Sequence, residues 1–316
     1  MRNGLIILLI LLFNLGAAPS LAADPELANL GEPAKESAQK PAIPQRGSLY
    51  RVRYHDHIGY LFGTIHVGRR EFFPLEAQAT QALAEAGTLA LELDMRDTAA
   101  LQSAVQKYGM YAAIDSVDKH LSPASLKRLK AALAELNIPY PRVAQMKTWM
   151  VANLLLVAAL EQLGYHTDLA TETYLTKSAA AQGKAVVGLE SADLQLSLFD
   201  NMTEKQQEQY LNDNLDDLQS GDMRKKTQEL IDAWATADEN AFEHILNEAQ
   251  SDQTTAGKFF LRTLLAKRNP VMASKIESML KEDKASFVGI GLLHLVGADG
   301  VPQLLSKRGY EVTRLY

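Results

Sequence analysis

The stretch SFVGIGLLH, at residues 286–294, joins a short apolar run to a glycine and, three positions later, to a histidine. The same order occurs near the other end of the chain in YLFGTIH, where Gly63 precedes His66 as Gly291 precedes His294. Apolar runs of this length are typical of buried strands. A glycine ahead of each histidine permits a sharp turn and a close approach of the backbone to a ligand. The sequence therefore predicts two strands that each deliver a histidine.

Two more strand-like runs lie between these units. TLALELD contains Glu92 near its end, and AVVGLES contains Glu190. In sheets with parallel strands, ligands collect at the carboxyl ends of the strands, where side chains enter a crevice. Two histidines and two carboxylates that meet there would form a metal-binding or acid–base site. We therefore predict that His66, His294, Glu92 and Glu190 lie together.

Composition limits the class of protein. The chain has 316 residues, of which 47% are hydrophobic and 22% charged, enough for one large domain or two closely packed ones. Its formal net charge of -6 gives no support to nucleic-acid binding, so this class is set aside. There is no cysteine, so a metal site would have to use histidine and carboxylate ligands, which suit manganese, cobalt or zinc.

The N-terminal region has the pattern of a secretory signal peptide. Residues 1–23 contain Arg2, an apolar segment over residues 5–13 and small residues before a cleavage zone. This pattern predicts a periplasmic or secreted protein with no membrane span after cleavage, and an uncleaved anchor is the alternative. Residues 24–47 are rich in Pro, Ala, Glu and Lys and are predicted to be a flexible linker. The domain is predicted to cover residues 48–316.

The order of the remaining patterns predicts an α/β fold. Residues 49–54 and 58–65 alternate as two strands, with a turn at His55-Asp56-His57 that is a weaker candidate for metal binding. The nearly all-apolar segment 149–160 is too short to cross a bilayer and is predicted to be a buried core helix. The fold expected from this order is a central mixed β-sheet flanked by helices, with large helical segments between the strands.

Taken together, these segments resemble the TraB/GumN family, whose relatives include the Wnt-inactivating Tiki metalloproteases and, more remotely, erythromycin esterase-like and haem-binding ChaN-like proteins. The resemblance covers residues 49–315. Its carriers are YLFGTIHVG at 60–68, LALELD at 89–94, Lys147-Thr148-Trp149, VVGLES at 186–191, Arg268-Asn269 and VGIGLLHLVGADGVPQLLSKRGYEV at 288–312. The family usually has Gly-x-Asp after the core helix, whereas this chain has Ala170-Thr171-Glu172.

The resemblance implies a metal-dependent hydrolase, most plausibly a peptidase that acts on a peptide or small molecule. A divalent metal ion would be held by His66, His294 and one or both of Glu92 and Glu190, and a spare carboxylate would accept a proton from bound water. The Arg268-Asn269 pair of the family pattern implies that Arg268 orients a carboxylate or stabilises an oxyanion. No HExxH sequence is present, so the chain is not a conventional zincin.

Other interpretations remain open at this point. Glu92 or Glu190 could form a buried ion pair with Arg268, and either histidine could be an ordinary core residue. Asp94, two residues after Glu92, is a weaker candidate. The same crevice could belong to a binding module that captures a peptide or haem without turnover, or it could catalyse ester hydrolysis without metal.

Overall fold

The computed structural model describes residues 43–282 and 285–316. The predicted signal peptide and most of the predicted linker lie outside the described residues. At the end of that linker, Arg46 and Gly47 are buried. The guanidinium of Arg46 donates hydrogen bonds to the carbonyls of Glu71 at 3.1 Å and Pro74 at 3.4 Å. The packed part of the chain therefore includes these two residues ahead of position 48.

Within the described ranges, six strands form one mixed sheet in the order β4-β3-β5-β2-β1-β6. The strands are β1 (Leu49–Tyr54), β2 (His57–Thr64), β3 (Thr88–Leu91), β4 (Ala185–Gly188), β5 (Ala285–Gly291) and β6 (Glu311–Arg314). The predicted hairpin is confirmed, since β1 and β2 pair antiparallel around a turn in which His55 has a φ of 55°.

Four adjacent strands, β4, β3, β5 and β2, run parallel to one another. β5 pairs with β2 on one side, where Thr64 faces Gly291, and with β3 on the other, where Leu91 faces Gly289. β3 also pairs with β4, where Leu91 faces Gly188. The carboxyl ends of β2, β3, β4 and β5 therefore lie along one edge of the sheet. Because β5 inserts between β2 and β3, the two glycine–histidine units become neighbours.

Helices occupy the segments between the strands. The α-helices are α1 (Ala77–Glu85), α2 (Thr98–Ala104), α3 (Pro123–Glu135), α4 (Thr148–Gln162), α5 (Thr171–Ala181), α6 (Ala192–Asp200), α7 (Glu204–Ser220), α8 (Asp222–Thr236), α9 (Glu239–Ser251), α10 (Thr255–Phe259), α11 (Asn269–Glu282) and α12 (Val301–Lys307). Two segments are π-helical, Val105–Gly109 and Phe260–Ala266. The prediction of an α/β fold with large helical segments is confirmed.

Both faces of the sheet are covered. Along β5, Phe287 packs into the larger core, whereas its neighbour Val288 packs into a smaller core with Met272 and Ile276 of α11. This alternation is expected for a strand buried on both sides. The larger core also contains α4, of whose fifteen residues twelve are buried, so the prediction of a core helix is confirmed.

One polar side chain of α4 lies inside this core. Asn153 of α4 accepts a hydrogen bond from the Tyr210 hydroxyl at 2.8 Å, which explains how an amide is accommodated in an apolar helix. Ser122 is the N-cap of α3, and Thr203 is the N-cap of α7 in a capping box with Gln206. Across residues 43–282 and 285–316, no helix has the length and apolar character needed to span a bilayer.

Candidate functional site

The site forms where the four parallel strands end. His66 and Glu92 follow β2 and β3, whereas Glu190 and His294 follow β4 and β5. Backbone pairing continues past the ends of two strands, because the Glu190 N–H donates to the Glu92 carbonyl at 2.8 Å. This bond holds the two glutamates side by side. Both glutamates and His294 are buried, and His66 is partly exposed.

Arg268 joins the two glutamates. Its Nη2 donates to Oε2 of Glu92 at 2.5 Å and to Oε2 of Glu190 at 2.6 Å, while Nε donates to Oε1 of Glu190 at 3.1 Å. Its remaining nitrogen, Nη1, donates to the Leu264 carbonyl at 3.3 Å. The predicted buried ion pair therefore exists, and it includes both glutamates at once. Arg268 thus contacts both carboxylates, and its role in orienting a carboxylate or stabilising an oxyanion stays a prediction.

His294 is held by Asn269, the residue that follows this arginine. The Asn269 amide nitrogen donates to the Asp299 carbonyl at 2.8 Å, so its oxygen faces His294. That oxygen lies 2.5 Å from Nδ1, which must therefore carry the proton and donate it. The other ring nitrogen, Nε2, keeps a lone pair and lies 3.7 Å from Oε1 of Glu92.

His66 is held in the same way by a carboxylate. Its Nδ1 lies 2.8 Å from Oε1 of Glu172, which also accepts a hydrogen bond from the Thr64 hydroxyl at 2.5 Å. Glu172 is the acidic residue of Ala170-Thr171-Glu172, the segment that stands where the family usually has Gly-x-Asp. It reaches the site from the first turn of α5. Backbone contacts fix this turn, because the Thr171 N–H donates to the Ile65 carbonyl at 3.0 Å.

The free sides of these groups converge beside Gly291. A Cβ atom placed on Gly291 would lie 3.1 Å from Oε1 of Glu92, 3.4 Å from Nε2 of His66 and 3.6 Å from Cδ2 of His294. The φ of Gly291 is -49°, so glycine is needed here for close approach rather than for a left-handed backbone. Its N–H also donates to Oε1 of Glu92 at 2.7 Å. Both histidines and Glu92 therefore share one small space.

Some candidates lie outside this cluster. Asp94 forms an ion pair with Arg96 at 2.7 Å at the surface of the protein. His55 lies in the hairpin turn. His57 contacts the carbonyl of Leu280 in α11 at 2.5 Å, so the HxH pair has a structural place in the fold. Among the other histidines, His166 pairs with Glu161 at 2.6 Å. None of these side chains contacts the shared space beside Gly291.

Three contributors to the site were not assigned a role from sequence. Glu172 and Asn269 stand in motifs that the sequence analysis quotes, but their partners could not be identified before the fold was known. Gln195 of α6 donates to Oε2 of Glu190 at 2.7 Å and to Oε2 of Glu92 at 3.4 Å. Nothing in the sequence around Gln195 marks it as a site residue.

The two histidines differ in charge at neutral pH. Burial lowers the pKa of His294 to about 3, so its ring is neutral at neutral pH. Burial would also lower the pKa of His66, but the charge and hydrogen bond of Glu172, with a further contribution from Glu92, raise it to about 9. His66 is therefore protonated at neutral pH in the protein described here.

The glutamate beside both histidines is ionised. Burial would raise the pKa of Glu92, but Arg268 and the two histidines, together with the N–H of Gly291, hold it well below its usual range. Conversely, burial would lower the pKa of Arg268, and the two glutamates raise it. The cluster thus places three carboxylates, including Glu172, around one guanidinium and one imidazolium.

The donors can be tested for their fit to a divalent cation. Histidine ligands of metals almost always donate their second ring N–H to a carboxylate or another oxygen acceptor, as His66 and His294 both do. Their two Nε2 atoms and Oε1 of Glu92 form a donor set of suitable chemistry. In the described ranges, no three His, Asp or Glu side chains already lie at the mutual distances of a metal site. Both oxygens of Glu190 are held by Arg268, so the geometry favours His66, His294 and Glu92 as ligands.

Comparison with known proteins extends these observations. The model of the TraB/PrgY/gumN family matches residues 48–314. The chain is 22% identical over 246 residues to the uncharacterized protein YbaP of Escherichia coli, covering 78% of this chain and 87% of YbaP. It is 24% identical over 336 residues to metalloprotease TIKI1 of Danio rerio, covering 90% of this chain and 66% of TIKI1.

A second protein of that type also matches. The chain is 25% identical over 314 residues to metalloprotease TIKI2 of Xenopus tropicalis, covering 84% of this chain and 59% of TIKI2. No solved structure matches. The family model spans almost the whole packed part of the chain, including all four strand-end residues of the site. The chain belongs to the TraB/PrgY/gumN family.

Proposed function

We propose that the protein is a metal-dependent hydrolase that cleaves peptide bonds. The observation that carries the proposal is the convergence of His66, His294 and Glu92 beside Gly291, with each histidine oriented through its Nδ1. Its similarity to TIKI1 and TIKI2, which are named as metalloproteases, supports the reaction class.

The residues of the site would have different roles toward a bound cation. A divalent cation, when bound, would polarise a carbonyl and lower the pKa of water. His66 and His294 would hold it through Nε2, with Glu92 as the third donor. Binding would require His66 to give up its proton, and the negative charge of Glu172 and Glu92 offsets the added cation. These same groups bring the net negative charge that a buried cation needs.

Glu92 would bind the cation through Oε1, the oxygen that Arg268 leaves free. Its Oε1 lies 3.7 Å from Nε2 of His294, and its low pKa keeps it ionised throughout the neutral range. Arg268 fixes this carboxylate from the other oxygen, which prevents Glu92 from turning away. Glu190 holds Arg268 in position through three hydrogen bonds and therefore acts on Glu92 indirectly.

The proposal includes export of the protein to the periplasm or outside the cell. It rests on the signal-peptide pattern of residues 1–23, which lie outside the described residues. Fractionation of cells that express the full chain would test it, and recovery of the unprocessed chain in the cytosol would contradict it.

The test of the activity is hydrolysis of a random octapeptide library by the full chain, with Mn²⁺, Co²⁺ or Zn²⁺ and with a chelator. We expect multiple turnovers per chain with metal and loss of activity with chelator. His294→Ala should lower kcat/KM by about 100-fold or more, as expected when a metal ligand is removed. His166→Ala, which removes a half-exposed histidine outside the site, is the matched control and should change nothing.

Three results would overturn the proposal. Unchanged hydrolysis by a folded His294→Ala variant would exclude the site. Capture of at most one peptide per chain without cleavage would favour the alternative of a peptide- or haem-binding module. Activity that survives exhaustive chelation would favour metal-free hydrolysis with a histidine as the base. Elemental analysis of the wild type and of Glu92→Ala adds an independent measure, because the variant should retain less metal.

A further inference from the structure

A narrow pocket of about 60 Å³ adjoins the histidine cluster. His66, Glu92, Arg268 and His294 line its polar end. Its other walls come from α8, the π-helical segment Phe260–Ala266 and the turns after β2 and β5. Most of these wall residues are apolar, among them Leu230, Ile231, Phe260 and Leu264, and two carry hydroxyls, Thr64 and Thr227. The pocket is therefore polar at the cluster and apolar elsewhere.

The two hydroxyls differ in their hydrogen bonding. The hydroxyl of Thr64 is used, because it donates to Glu172. Thr227 is only 3% exposed, and its hydroxyl has no hydrogen-bond partner among the residues that the structure describes. It lies on the same face of α8 as Leu230 and Ile231, which are three and four residues further along. Burying a hydroxyl without a hydrogen-bond partner is unfavourable. An unpaired hydroxyl at this position is therefore a candidate for a bond to a ligand.

The shape of the wall has a local cause. The segment Phe260–Ala266 is π-helical, and such turns shift the side chains that follow them and occur often at functional sites. This segment directs Phe260, Leu264 and Leu265 to the pocket, and the Leu264 carbonyl accepts a hydrogen bond from Arg268. The apolar wall and the charged cluster are thus built from one continuous stretch of chain.

We propose that this pocket selects peptides with a medium-sized apolar side chain next to the cleaved bond, and that the Thr227 hydroxyl hydrogen-bonds to the backbone of that residue. The proposal rests on the proposed function. The volume of about 60 Å³ admits roughly four water-sized spheres, which suits Leu, Ile or Met better than Trp. Thr227 is a specificity-determining residue in this arrangement, since it lines the pocket and its hydroxyl has no partner among the described residues.

Cleavage products of a random octapeptide library provide the test. With the full chain and Mn²⁺, we expect Leu, Ile and Met to be enriched at one position beside the cleaved bond. Thr227→Val keeps the shape of the side chain and removes the hydroxyl, so it should lower kcat/KM for a preferred peptide about three- to tenfold. Thr227→Ser keeps the hydroxyl and should retain most of the activity.

A matched control lies on the same helix. Thr236 is exposed on α8 and its hydroxyl bonds only to backbone carbonyls, so Thr236→Val should leave kcat/KM unchanged. A further variant, Leu264→Ala, enlarges the pocket while retaining the carbonyl that Arg268 uses. It should raise the preference for Phe over Leu by about tenfold, the scale of selection by an apolar pocket.

Binding separates this inference from the proposed function. If the wild type cleaves nothing, the proposed function fails, and the pocket is judged by the library peptides that remain bound after gel filtration. Enrichment of Leu, Ile and Met in the bound fraction, lost in Thr227→Val but not in Thr236→Val, would support the pocket assignment. Cleaved or bound peptides without such enrichment, equal behaviour of the two valine variants, or no bound peptide at all would overturn it.

Discussion

His66 and His294 come from similar sequence units, yet their environments differ in one respect that decides their charge. Each ring donates its Nδ1 proton to an oxygen, and each ring has an atom beside Gly291, Nε2 for His66 and Cδ2 for His294. The oxygen belongs to a carboxylate in one case and to an amide in the other. The pKa of His66 is raised to about 9, whereas that of His294 is lowered to about 3. Burial lowers the pKa of His294, whereas at His66 the carboxylate of Glu172 outweighs the effect of burial.

The largest effect is expected from removing the charge that both histidines face. Arg268→Leu would leave Glu92 and Glu190 buried without a cation, and removal of one partner from a buried pair costs about 3–5 kcal/mol. Because Arg268 also lowers the pKa of both histidines, both values should rise in the variant. Urea unfolding at pH 7 measures the first effect, and NMR titration measures the second.

Arg308→Leu is the control for this variant. Arg308 pairs with Glu277 at 2.7 Å near the surface, where such a pair contributes about 1 kcal/mol or less. Equal destabilisation by the two variants would contradict the view that Arg268 neutralises a buried acidic pair.

The next largest effect is expected from changing Glu172, the carboxylate that binds Nδ1 of His66. Glu172→Gln removes the carboxylate that raises the pKa of His66, so this pKa should fall below 7. A folded-state pKa of about 9 against 6.5 in the unfolded chain stabilises the wild type below pH 6.5, and this stabilisation is lost as the pH rises through 9. The difference in unfolding free energy between the two proteins should be about 3 kcal/mol at pH 6 and should vanish near pH 10. Urea unfolding in the presence of a chelator, at several pH values, checks it.

A surface pair with the same geometry provides the matched control. His166 lies 2.6 Å from Glu161, but both side chains are about half exposed. Glu161→Gln should therefore change stability by less than about 1 kcal/mol at any of these pH values. A difference between wild type and Glu172→Gln that does not vary with pH would show that His66 is not charged in the folded protein.

The converse change should make His294 resemble His66. Asn269→Asp places a carboxylate against Nδ1 of His294, and a charge at this distance should raise its pKa by about 2 units. The shift should be smaller than the one at His66 because burial still opposes the charged ring and Arg268 remains nearby. NMR titration of the ring measures it. Asn201→Asp, at an exposed position, should leave the value unchanged.

The smallest effect concerns the hydroxyl that supports Glu172. Thr64→Val removes a hydrogen bond to that carboxylate and should lower the free energy of unfolding by about 1–2 kcal/mol. The pKa of His294 should not change, because Thr64 acts only on the His66 side. A shift at His294 as large as at His66 would mean that the two sides are not independent.

The fold and the four strand-end residues could be predicted because their signals are local. An apolar run followed by Gly and His, or by Glu, places a polar side chain just past a buried strand, and parallel strands end at one edge. The hairpin, the core helix and the caps at Ser122 and Thr203 were predictable from patterns within a few residues. Assembly in three dimensions then placed these residues together.

Protonation could not be predicted in this way. It depends on Asn269 and Glu172, and the position of Glu172 depends on how the first turn of α5 is fixed against the turn after β2. Arg268 would be expected on the surface from its place after a helical segment, yet it is 3% exposed, because three hydrogen bonds to Glu190 and one to Glu92 accompany its burial. Such contacts join residues far apart in sequence and leave no periodic signal.

The insertion of β5 between β2 and β3 also governs when the site can exist during synthesis. A ribosome releases the segment of His66 long before that of His294, so a growing chain first holds only half of the arrangement. Pairing between such distant segments is intrinsically slow, because a long loop must close before any contact forms. Assembly of the site thus has to wait for synthesis of the segment that carries His294.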